Sequence, residues 1–272
     1  MADVYATISQ AERTVQQRLA DVIELRAADP RYQAMVRSYL SEVKFSPSTH
    51  ALEIGCGTGS VTRTLAQWPN VAHAHGIDPS PVFIERAREL AAGIANISFQ
   101  EADGRSLPLE PATFDAVVIH TTMSHVPQPE RLVEQAFRVL RPGGWFAVFD
   151  GDYATATVAK EEFDPLQSCV AAFRSSYVND SWLARRLPQL VRSGGFELVS
   201  THSHGYVEAP AGAYMLTWIE RGADVLVQRG CIGADTARAL NAEAKRRSDE
   251  LQWFGHIAFA SVVSRKPVPA GS

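Results

Sequence analysis

The sequence has few of the features that build disulfide frameworks, zinc sites or membrane spans. Its 272 residues include only three cysteines, Cys56, Cys169 and Cys231, which are widely spaced and form no CxxC pair. No apolar run approaches the roughly 20 residues that cross a bilayer. The N-terminus lacks the basic start and apolar stretch of a secretory signal. These absences argue against a disulfide scaffold and predict a cytoplasmic protein without a membrane partner.

Basic residues are too few and too scattered for a typical nucleic-acid surface. The chain has 26 Lys and Arg against 30 Asp and Glu, a net charge of −4. Proteins that bind nucleic acids usually carry a basic stripe that neutralises phosphates. We therefore expect no nucleic-acid partner, and the oligomeric state, monomer or homodimer, stays open.

From His50 onward, short apolar runs alternate with helical segments, which predicts a mostly parallel sheet covered on both faces. The predicted strands are residues 51–55, 72–78, 97–103, 114–120, 145–152, 196–208 and 253–266. The predicted helices among them are residues 61–68, 81–92, 129–140, 159–177, 182–193, 212–230 and 234–252. Residues 1–46 contain no glycine and are rich in helix formers, so they predict a helical segment interrupted at Pro30.

The strongest local signal is a glycine-rich loop between the first predicted strand and the following helix. Residues 52–59 read LEIGCGTG. Glycines there permit unusual backbone angles and let a ligand approach the main chain, while the next helix offers unpaired N–H groups. The dinucleotide fingerprint GxGxxG would need a glycine at position 60, which is Ser60 in this chain. That spacing disfavours a nicotinamide or flavin enzyme without excluding it.

The second signal is a carboxylate at the end of the second predicted strand. Asp78 lies 19 residues beyond Gly59, in the segment GIDPS. A carboxylate at this position can accept hydrogen bonds from both hydroxyls of a ribose. Aspartate also favours the N-cap of a helix, which is the alternative for Asp78 alone. Together with the glycine loop, ribose binding is the preferred interpretation.

These motifs resemble those of the class I S-adenosylmethionine-dependent methyltransferases, over about residues 48–150. Residues 53–59, EIGCGTG, fit the E/D-x-G-x-G-x-G loop that passes under the methionine and ribose of the cofactor in that family. FDAVV at 114–118 and VLRPGG at 139–144 fit its later motifs. The resemblance implies S-adenosylmethionine as cofactor and a seven-stranded Rossmann-like α/β sheet with an antiparallel last strand. It also implies a helical cap over the C-terminal strand edge. More narrowly, the chain is similar to the branch of ubiquinone and menaquinone methyltransferases and many natural-product enzymes.

The resemblance also assigns cofactor-binding residues. They are Glu53, Gly55, Cys56, Gly57, Thr58, Gly59, Asp78, Pro79, Asp103, Gly104, His120, Thr121 and His125. Asp103 is expected to meet the adenine amino group, and His120 to form a wall near the methionine part. In this family an N-terminal helix often closes over the cofactor, which makes Tyr5 and Arg37 candidates for contact with its carboxylate.

Methyl transfer from a sulfonium depends mainly on alignment and exclusion of water, because the leaving group departs neutral. A general base matters only when the nucleophile must lose a proton, as a phenol or alcohol does. His120, His125 and His204 are the candidate bases, although His125 can equally orient the next helix. The histidine pairs of the sequence lack an evident third ligand, so no metal site is predicted.

Three segments are predicted: an N-terminal helical lid (1–46), a cofactor-binding core (47–152), and a segment (153–272) that completes the sheet. The last segment carries a helical substrate cap at about 153–180 and 211–252. Aromatic residues gathered there predict a pocket for a planar or apolar small molecule, with ordinary core packing as the alternative. The candidate substrate residues are Tyr5, Tyr153, Tyr177, Trp218 and Phe254.

The predicted function is methyl transfer to an oxygen, nitrogen or carbon atom of a small molecule, aromatic or polyketide-like. The first alternative is the same fold with S-adenosylmethionine in a non-methylating role such as an assisted cyclisation. A nicotinamide-dependent oxidoreductase is the second, and a methyltransferase acting on macromolecules is disfavoured by the absence of a basic surface.

Overall fold

The computed structural model describes residue 5 and residues 7–269. Within this range the predicted seven-stranded α/β sheet is confirmed. Its strands are β1 (Thr49–Ile54), β2 (Val71–Asp78), β3 (Ile97–Glu101), β4 (Phe114–His120), β5 (Leu140–Thr157), β6 (Glu197–Glu208) and β7 (Gly255–Arg265). Residues 1–4 and 6 of the predicted lid, and 270–272 of the predicted third segment, lie outside the described residues.

The strand order across the sheet is β3-β2-β1-β4-β5-β7-β6. The first five strands in sequence pair in parallel. Strand β7 is antiparallel to both β5 and β6, as the family resemblance implies. The order reverses between β1 and β4, so the connections that leave these two strands diverge and open a crevice at their carboxyl ends. This crevice positions the site described below.

Helices cover the sheet on both faces. They are α1 (Arg13–Ala27), α2 (Pro30–Leu40), α3 (Ser60–Ala66), α4 (Pro81–Leu90), α5 (Pro129–Val139), α6 (Leu166–Tyr177), α7 (Leu187–Ser193), α8 (Leu216–Gln228) and α9 (Ala234–Asp249). Local chemistry explains some of the starts. The Asp29 carboxylate accepts from the backbone N–H of Arg31 before α2, and the Ser80 hydroxyl accepts from that of Phe83 before α4. Each of these helices also begins with a proline, which needs no hydrogen-bond partner there.

Alternation along β4 shows how the two faces are filled. Ala116 and Val118 pack into one apolar cluster, and Val117 and Ile119 pack into another. Successive side chains of a strand point to opposite faces, so a strand that is apolar at every position must be covered on both sides. The apolar run AVVI at residues 116–119 therefore becomes the middle of a central strand.

Several element boundaries differ from the predictions. The fifth strand does not end at Asp152 but continues to Thr157, because its extension pairs with β7 up to His256. The helix predicted from residue 159 begins only at Leu166. Asp164 accepts from the backbone N–H groups of Lys160 and Leu166, which holds residues 160–166 in a turn.

The helix predicted from residue 212 also starts late, at Leu216. The buried Glu208 carboxylate accepts from the N–H groups of Tyr214 (2.7 Å) and Met215 (3.0 Å). It also accepts from the Trp253 indole at 3.1 Å. These bonds fix the preceding turn, and side-chain partners this distant in sequence could not be read from local propensity.

Gly59 joins β1 to α3 in a left-handed conformation, with φ of 78°. A Cβ there would lie 2.6 Å from the Phe99 ring. We expect Gly59→Ala to lower the free energy of unfolding by about 2–4 kcal/mol, from the unfavourable φ and the overlap together. Urea denaturation of the two proteins would measure the loss.

Gly93→Ala is the matched control, because Gly93 has φ of 90° but open space where a Cβ would lie. Gly93→Ala should lower the free energy of unfolding only by the cost of the unfavourable φ, about 1–2 kcal/mol. Equal losses in the two variants would contradict the role of close packing between the loop and β3.

Candidate active site

A cavity opens at the carboxyl ends of β1, β2 and β4, where the strand order reverses. The space between its lining atoms is about 960 Å³ when the open solvent at its mouth is counted. One wall comes from the glycine loop and the end of β2. A second comes from α1 and α2, and a third comes from aromatic residues of the C-terminal segment. The cavity therefore joins all three predicted segments.

Asp78 is fixed in the loop wall. Its Oδ2 accepts from the backbone N–H of Gly57 and its Oδ1 from that of Ser80, both at 2.9 Å. Burial raises the pKa of this carboxyl group to about 6, and the two backbone donors oppose the rise. Each oxygen keeps acceptor capacity for a further donor. A carboxylate held this way suits a vicinal diol such as a ribose.

Gly57 lies beside Asp78 with φ of 52°, and among the described residues a Cβ there would contact only Ile23 of α1, at 3.4 Å. The main chain of the loop is therefore open to a ligand in the cavity. Glu53, at the end of β1, is buried and accepts from the Thr62 hydroxyl. Burial raises its pKa to about 8, so the neutral form predominates at pH 7. A cationic ligand in the cavity would favour its ionised form.

His120 lines the cavity but is committed to two hydrogen bonds. Its Nε2 lies 2.6 Å from the Tyr32 hydroxyl, and its Nδ1 lies 3.0 Å from the Tyr39 hydroxyl. Burial and the nearby Arg26 hold its pKa well below the usual range, so the ring is neutral. A neutral imidazole donates from one nitrogen and accepts at the other, and both positions are used here. The prediction of His120 as a base does not fit this geometry, whereas its placement as a wall does.

His125 also lines the cavity, in a 3-10 turn after β4. Its ring lies 4.8 Å from the Tyr5 ring, and its Nε2 lies 3.4 Å from the Tyr153 hydroxyl. Buried Asp150 holds the turn by accepting from the Ser124 N–H (3.0 Å) and hydroxyl (2.7 Å). Burial raises the pKa of Asp150, while the charge of His125 opposes that rise. Asp150 thus positions the turn that presents His125.

The N-terminal helix α1 is tied across the glycine loop. Glu24 accepts from the Thr58 hydroxyl and pairs with Arg63 at 3.0 Å. Nearer the start of α1, Gln16 accepts from the Ser80 hydroxyl at 2.6 Å. These contacts hold α1 over the cavity, which is the arrangement expected of a lid.

Arg26, in the last turn of α1, projects its guanidinium into the cavity wall. Its Nη2 donates to the Thr121 hydroxyl at 2.9 Å, and its Cζ lies 4.8 Å from the centre of the Tyr32 ring. Its Nε is buried and has no acceptor among the described residues. Arg26 forms no ion pair within the described part of the chain. The sequence had suggested Arg37 for this role, but Arg37 is exposed and lies outside the cavity.

The third wall is aromatic and carries a second arginine. Tyr153, Phe173, Tyr214 and Arg221 line it, with Tyr5 opposite. Trp218 is buried behind this wall, with its ring stacked 4.7 Å from Phe173, and Tyr177 stacks on the same ring at 5.2 Å.

The structure therefore brings two of the predicted substrate residues, Tyr5 and Tyr153, to the lining. Tyr177 and Trp218 form a layer behind it. Phe254 is 37% exposed and lies outside the cavity, before β7. His204 is also outside, because its Nε2 faces the Ser261 hydroxyl of the neighbouring strand at 2.8 Å. These placements remove the geometric support for Phe254 and His204.

Nine predicted cofactor residues line the cavity: Glu53, Gly55, Cys56, Gly57, Asp78, Pro79, His120, Thr121 and His125. Thr58, Gly59, Asp103 and Gly104 do not. Thr58 turns toward Glu24, and Gly59 lies under Phe99. Arg105 pairs with Asp103 at 2.8 Å and holds the pKa of that carboxyl below its usual range. The adenine contact predicted for Asp103 remains a prediction.

The sequence analysis did not identify Arg26 and Arg221. Each lies on the apolar face of its helix: Arg26 follows Leu19 and Ile23 at helical spacing, and Arg221 follows Trp218. A basic residue on an otherwise apolar helix face was the available signal.

Within the described residues, no helix has both the length and the apolarity needed to cross a membrane. The same part of the chain holds no group of three or more metal-ligating side chains placed for a metal ion.

Residues 52–148 match the family described as a methyltransferase domain. The chain is 27% identical over 252 residues to the 27-O-demethylrifamycin SV methyltransferase of Amycolatopsis mediterranei, with 79% of this chain and 85% of that protein covered. It is 27% identical over 230 residues to the sterol methyltransferase-like 2 of Botryococcus braunii, covering 79% of this chain and 56% of that protein. Several curated relatives are longer than this chain, which spans 62%, 56% and 33% of the length of three of them.

Among solved structures, the crystal structure of the [4+2]-cyclase SpnF has a TM-score of 0.61 at 21% identity, and the match covers 98% of both chains. At this identity the similarity concerns the fold, and it extends over the whole sheet and its helices.

The fold, the glycine loop and the family match together identify residues 52–148 as a methyltransferase domain of the class I type. S-adenosylmethionine is the cofactor that this family match implies. The cavity suits this molecule: Asp78 can accept from the ribose, the open main chain at Gly57 admits close approach, and Arg26 offers a donor to the carboxylate.

Proposed function

We propose that the protein transfers the methyl group of S-adenosylmethionine to an oxygen, nitrogen or carbon atom of an aromatic or polyketide-like small molecule. The observation that carries this proposal is the continuity of one cavity. Its lining runs from Asp78 and the glycine loop to Tyr153, Phe173 and Tyr214. A cofactor and a planar acceptor would therefore share one continuous cavity.

The position of each lining residue in the cavity suggests its role. Asp78 and Arg26 would hold the two ends of the cofactor, its ribose and its carboxylate. Bound S-adenosylmethionine supplies an electrophilic methyl group on a positively charged sulfur. The aromatic wall would orient the acceptor and exclude water, which is the main requirement of an in-line displacement. His125 lines the cavity beside Tyr5 and Tyr153. It can accept the proton of a phenol or alcohol.

The test is incubation of the protein with methyl-deuterated S-adenosylmethionine and a panel of phenolic, amine and enol acceptors, followed by mass spectrometry. Transfer of the labelled methyl group to an acceptor supports the proposal. Repeating the assay with His125→Gln should lower turnover of phenols more than that of amines. Acceptors that are consumed and rearranged without gaining the label would instead favour the non-methylating alternative. No conversion of any acceptor, together with no cofactor binding, would contradict the proposed function.

The raised pKa of Asp78 predicts how cofactor affinity depends on pH. The ionised carboxylate accepts from ribose hydroxyls, whereas the protonated group does so poorly. With a pKa of about 6, the contribution of Asp78 to affinity should be complete above pH 7 and should weaken as pH falls through 6, approaching tenfold per pH unit. Calorimetric titration between pH 5 and 8 would measure this. In Asp78→Asn the affinity should no longer depend on pH in this range. If the variant shows the same change of affinity with pH, another titrating group is responsible.

A further inference from the structure

The aromatic wall contains a cation that the cofactor does not explain. Arg221 is 8% exposed and lines the cavity. Its guanidinium lies 4.5 Å from the centre of the Phe173 ring and 5.1 Å from that of Tyr177. No ion pair in the described part of the chain includes Arg221; its hydrogen-bond acceptors are two oxygens of Thr217, one turn earlier on α8. A buried cation without an anion is unusual.

The hydrogen bonds of Arg221 leave one edge of the guanidinium unused. Its Nε donates to the Thr217 carbonyl at 3.1 Å, and its Nη2 donates to the Thr217 hydroxyl at 3.0 Å. Its Nη1 is buried and has no acceptor among the described residues. Nη1 and the second hydrogen of Nη2 form the outer edge of the planar fork. This edge matches the spacing of the two oxygens of a carboxylate.

Ordinary packing does not account for this arrangement. Contact with two aromatic rings offsets only part of the cost of burying a charge, because such contacts are individually weak. One turn earlier on the same helix face, Trp218 Nε1 is a second buried donor without an acceptor among the described residues. Two unsatisfied buried donors therefore lie one turn apart on α8, one in the cavity lining and one behind it.

The cofactor has a single carboxylate, and Arg26 is positioned for it. Arg26 is tied to Thr121 at the end of β4, on the side of the glycine loop. Arg221 is tied to α8, among the aromatic residues of the C-terminal segment. The Arg26 guanidinium also lies 5.7 Å from the centre of the Tyr214 ring, but Arg26 is held on α1 and Arg221 on α8. A second cation with its own set of contacts calls for a second anion.

We infer that Arg221 is the anchor for a carboxylate on the acceptor, which makes the substrate an apolar or aromatic carboxylic acid. This inference rests on the proposed function only in treating the ligand of the aromatic wall as the acceptor. The guanidinium would bind the carboxylate through its outer edge, and Phe173 and Tyr153 would pack on the acceptor body. The position of the carboxylate then fixes which atom of the acceptor faces the cofactor.

The test compares carboxylates with neutral amides of the same shape. The probes are 2-naphthoate and 4-hydroxybenzoate against 2-naphthamide and 4-hydroxybenzamide, titrated calorimetrically into protein saturated with S-adenosylhomocysteine. We expect the carboxylates to bind about 10- to 100-fold more tightly, as charge-assisted hydrogen bonds imply. Arg221→Gln should reduce this preference to less than about threefold, and Arg221→Lys should keep part of it.

Arg229→Gln is the matched control. Arg229 follows α8, is exposed, and donates to Ser175 and Ser176 outside the cavity, so the preference should survive its loss. Equal binding of acids and amides by the unaltered protein would overturn the inference. So would a preference that survives Arg221→Gln, or no saturable binding of any probe.

Failure of the proposed function would be recognised separately. Arg221→Gln should bind S-adenosylhomocysteine as the unaltered protein does, because the contacts of Arg221 are with α8 and its aromatic neighbours and not with the glycine loop or Asp78. If the unaltered protein does not bind the cofactor product, the proposed function fails. The comparison of acids with amides in the cofactor-free protein would still decide the role of Arg221.

Discussion

Asp78→Asn should weaken S-adenosylmethionine binding at least about 100-fold, a loss near 3 kcal/mol. The carboxylate accepts from the backbone of Gly57 on one oxygen and of Ser80 on the other. Asparagine has one oxygen, so in either orientation its NH2 group would face a backbone N–H. The substitution thus removes the charge that the ribose hydroxyls need and disturbs the loop. Hydrogen bonds to a charged group contribute about 1.5–3 kcal/mol each, which supports this magnitude. Calorimetric titration at pH 7.5 measures it.

Asp115→Asn is the control for this experiment. Asp115 also accepts from a backbone N–H, that of His50 at 2.8 Å, but it lies at the amino end of β4, on the opposite edge of the sheet. Its replacement removes the same charge without touching the cavity. Cofactor affinity that falls equally in the two variants would indicate a general electrostatic or folding effect. Unchanged affinity in Asp78→Asn would remove Asp78 from the cofactor site.

The cofactor half of the site could be predicted because its determinants are contiguous in sequence. The loop at residues 53–59 and Asp78 are placed by the two strands that precede them, and parallel strands deliver their carboxyl ends to one edge of the sheet. Backbone hydrogen bonding and a short glycine pattern therefore suffice. The same reasoning predicts the sheet, since apolar runs such as β4 must be covered on both faces.

The acceptor half depends on tertiary packing, and sequence reasoning reached it only partly. Aromatic composition indicated the C-terminal segment, but not which rings face the cavity. Trp218 and Phe173 stack face to face, yet only Phe173 lines the space. The choice between lining and backing residue is made by the way α6 and α8 pack against each other, which hydrophobic periodicity does not specify.

His120 illustrates the same limit at the level of one side chain. Its position at the end of β4 suggested a base or a wall. Two tyrosines of α2, 88 and 81 residues earlier in the chain, decide between these roles by occupying both ring nitrogens. Whether a histidine is available as a base depends on such partners, and these cannot be predicted from the residues next to it in sequence.

Arg26→Met should weaken S-adenosylmethionine binding about 10- to 100-fold while leaving the free energy of unfolding nearly unchanged. Arg26 has one protein acceptor, Thr121, and its buried Nε has none among the described residues. Replacing an unpaired, partly buried cation with an apolar side chain of similar length need not destabilise the fold. The carboxylate of the cofactor, in contrast, would lose charge-assisted hydrogen bonds worth about 1.5–3 kcal/mol. The substitution should therefore reduce the affinity for the cofactor without reducing the free energy of unfolding.

Arg18→Met provides the comparison on the same helix, because Arg18 is exposed and outside the cavity. It should change neither quantity. The decisive measurement is titration of both variants with S-adenosylmethionine and with a decarboxylated analogue, alongside urea denaturation. Arg26→Met should reduce affinity for the cofactor but not for the analogue, because only the cofactor has the carboxylate. An equal loss for both ligands would show that Arg26 shapes the lid rather than binding the carboxylate. A large loss in the free energy of unfolding would show that the contacts of Arg26 with Tyr32 and Thr121 hold α1 in place. Arg26 would then be a structural residue that keeps α1 packed over the cavity.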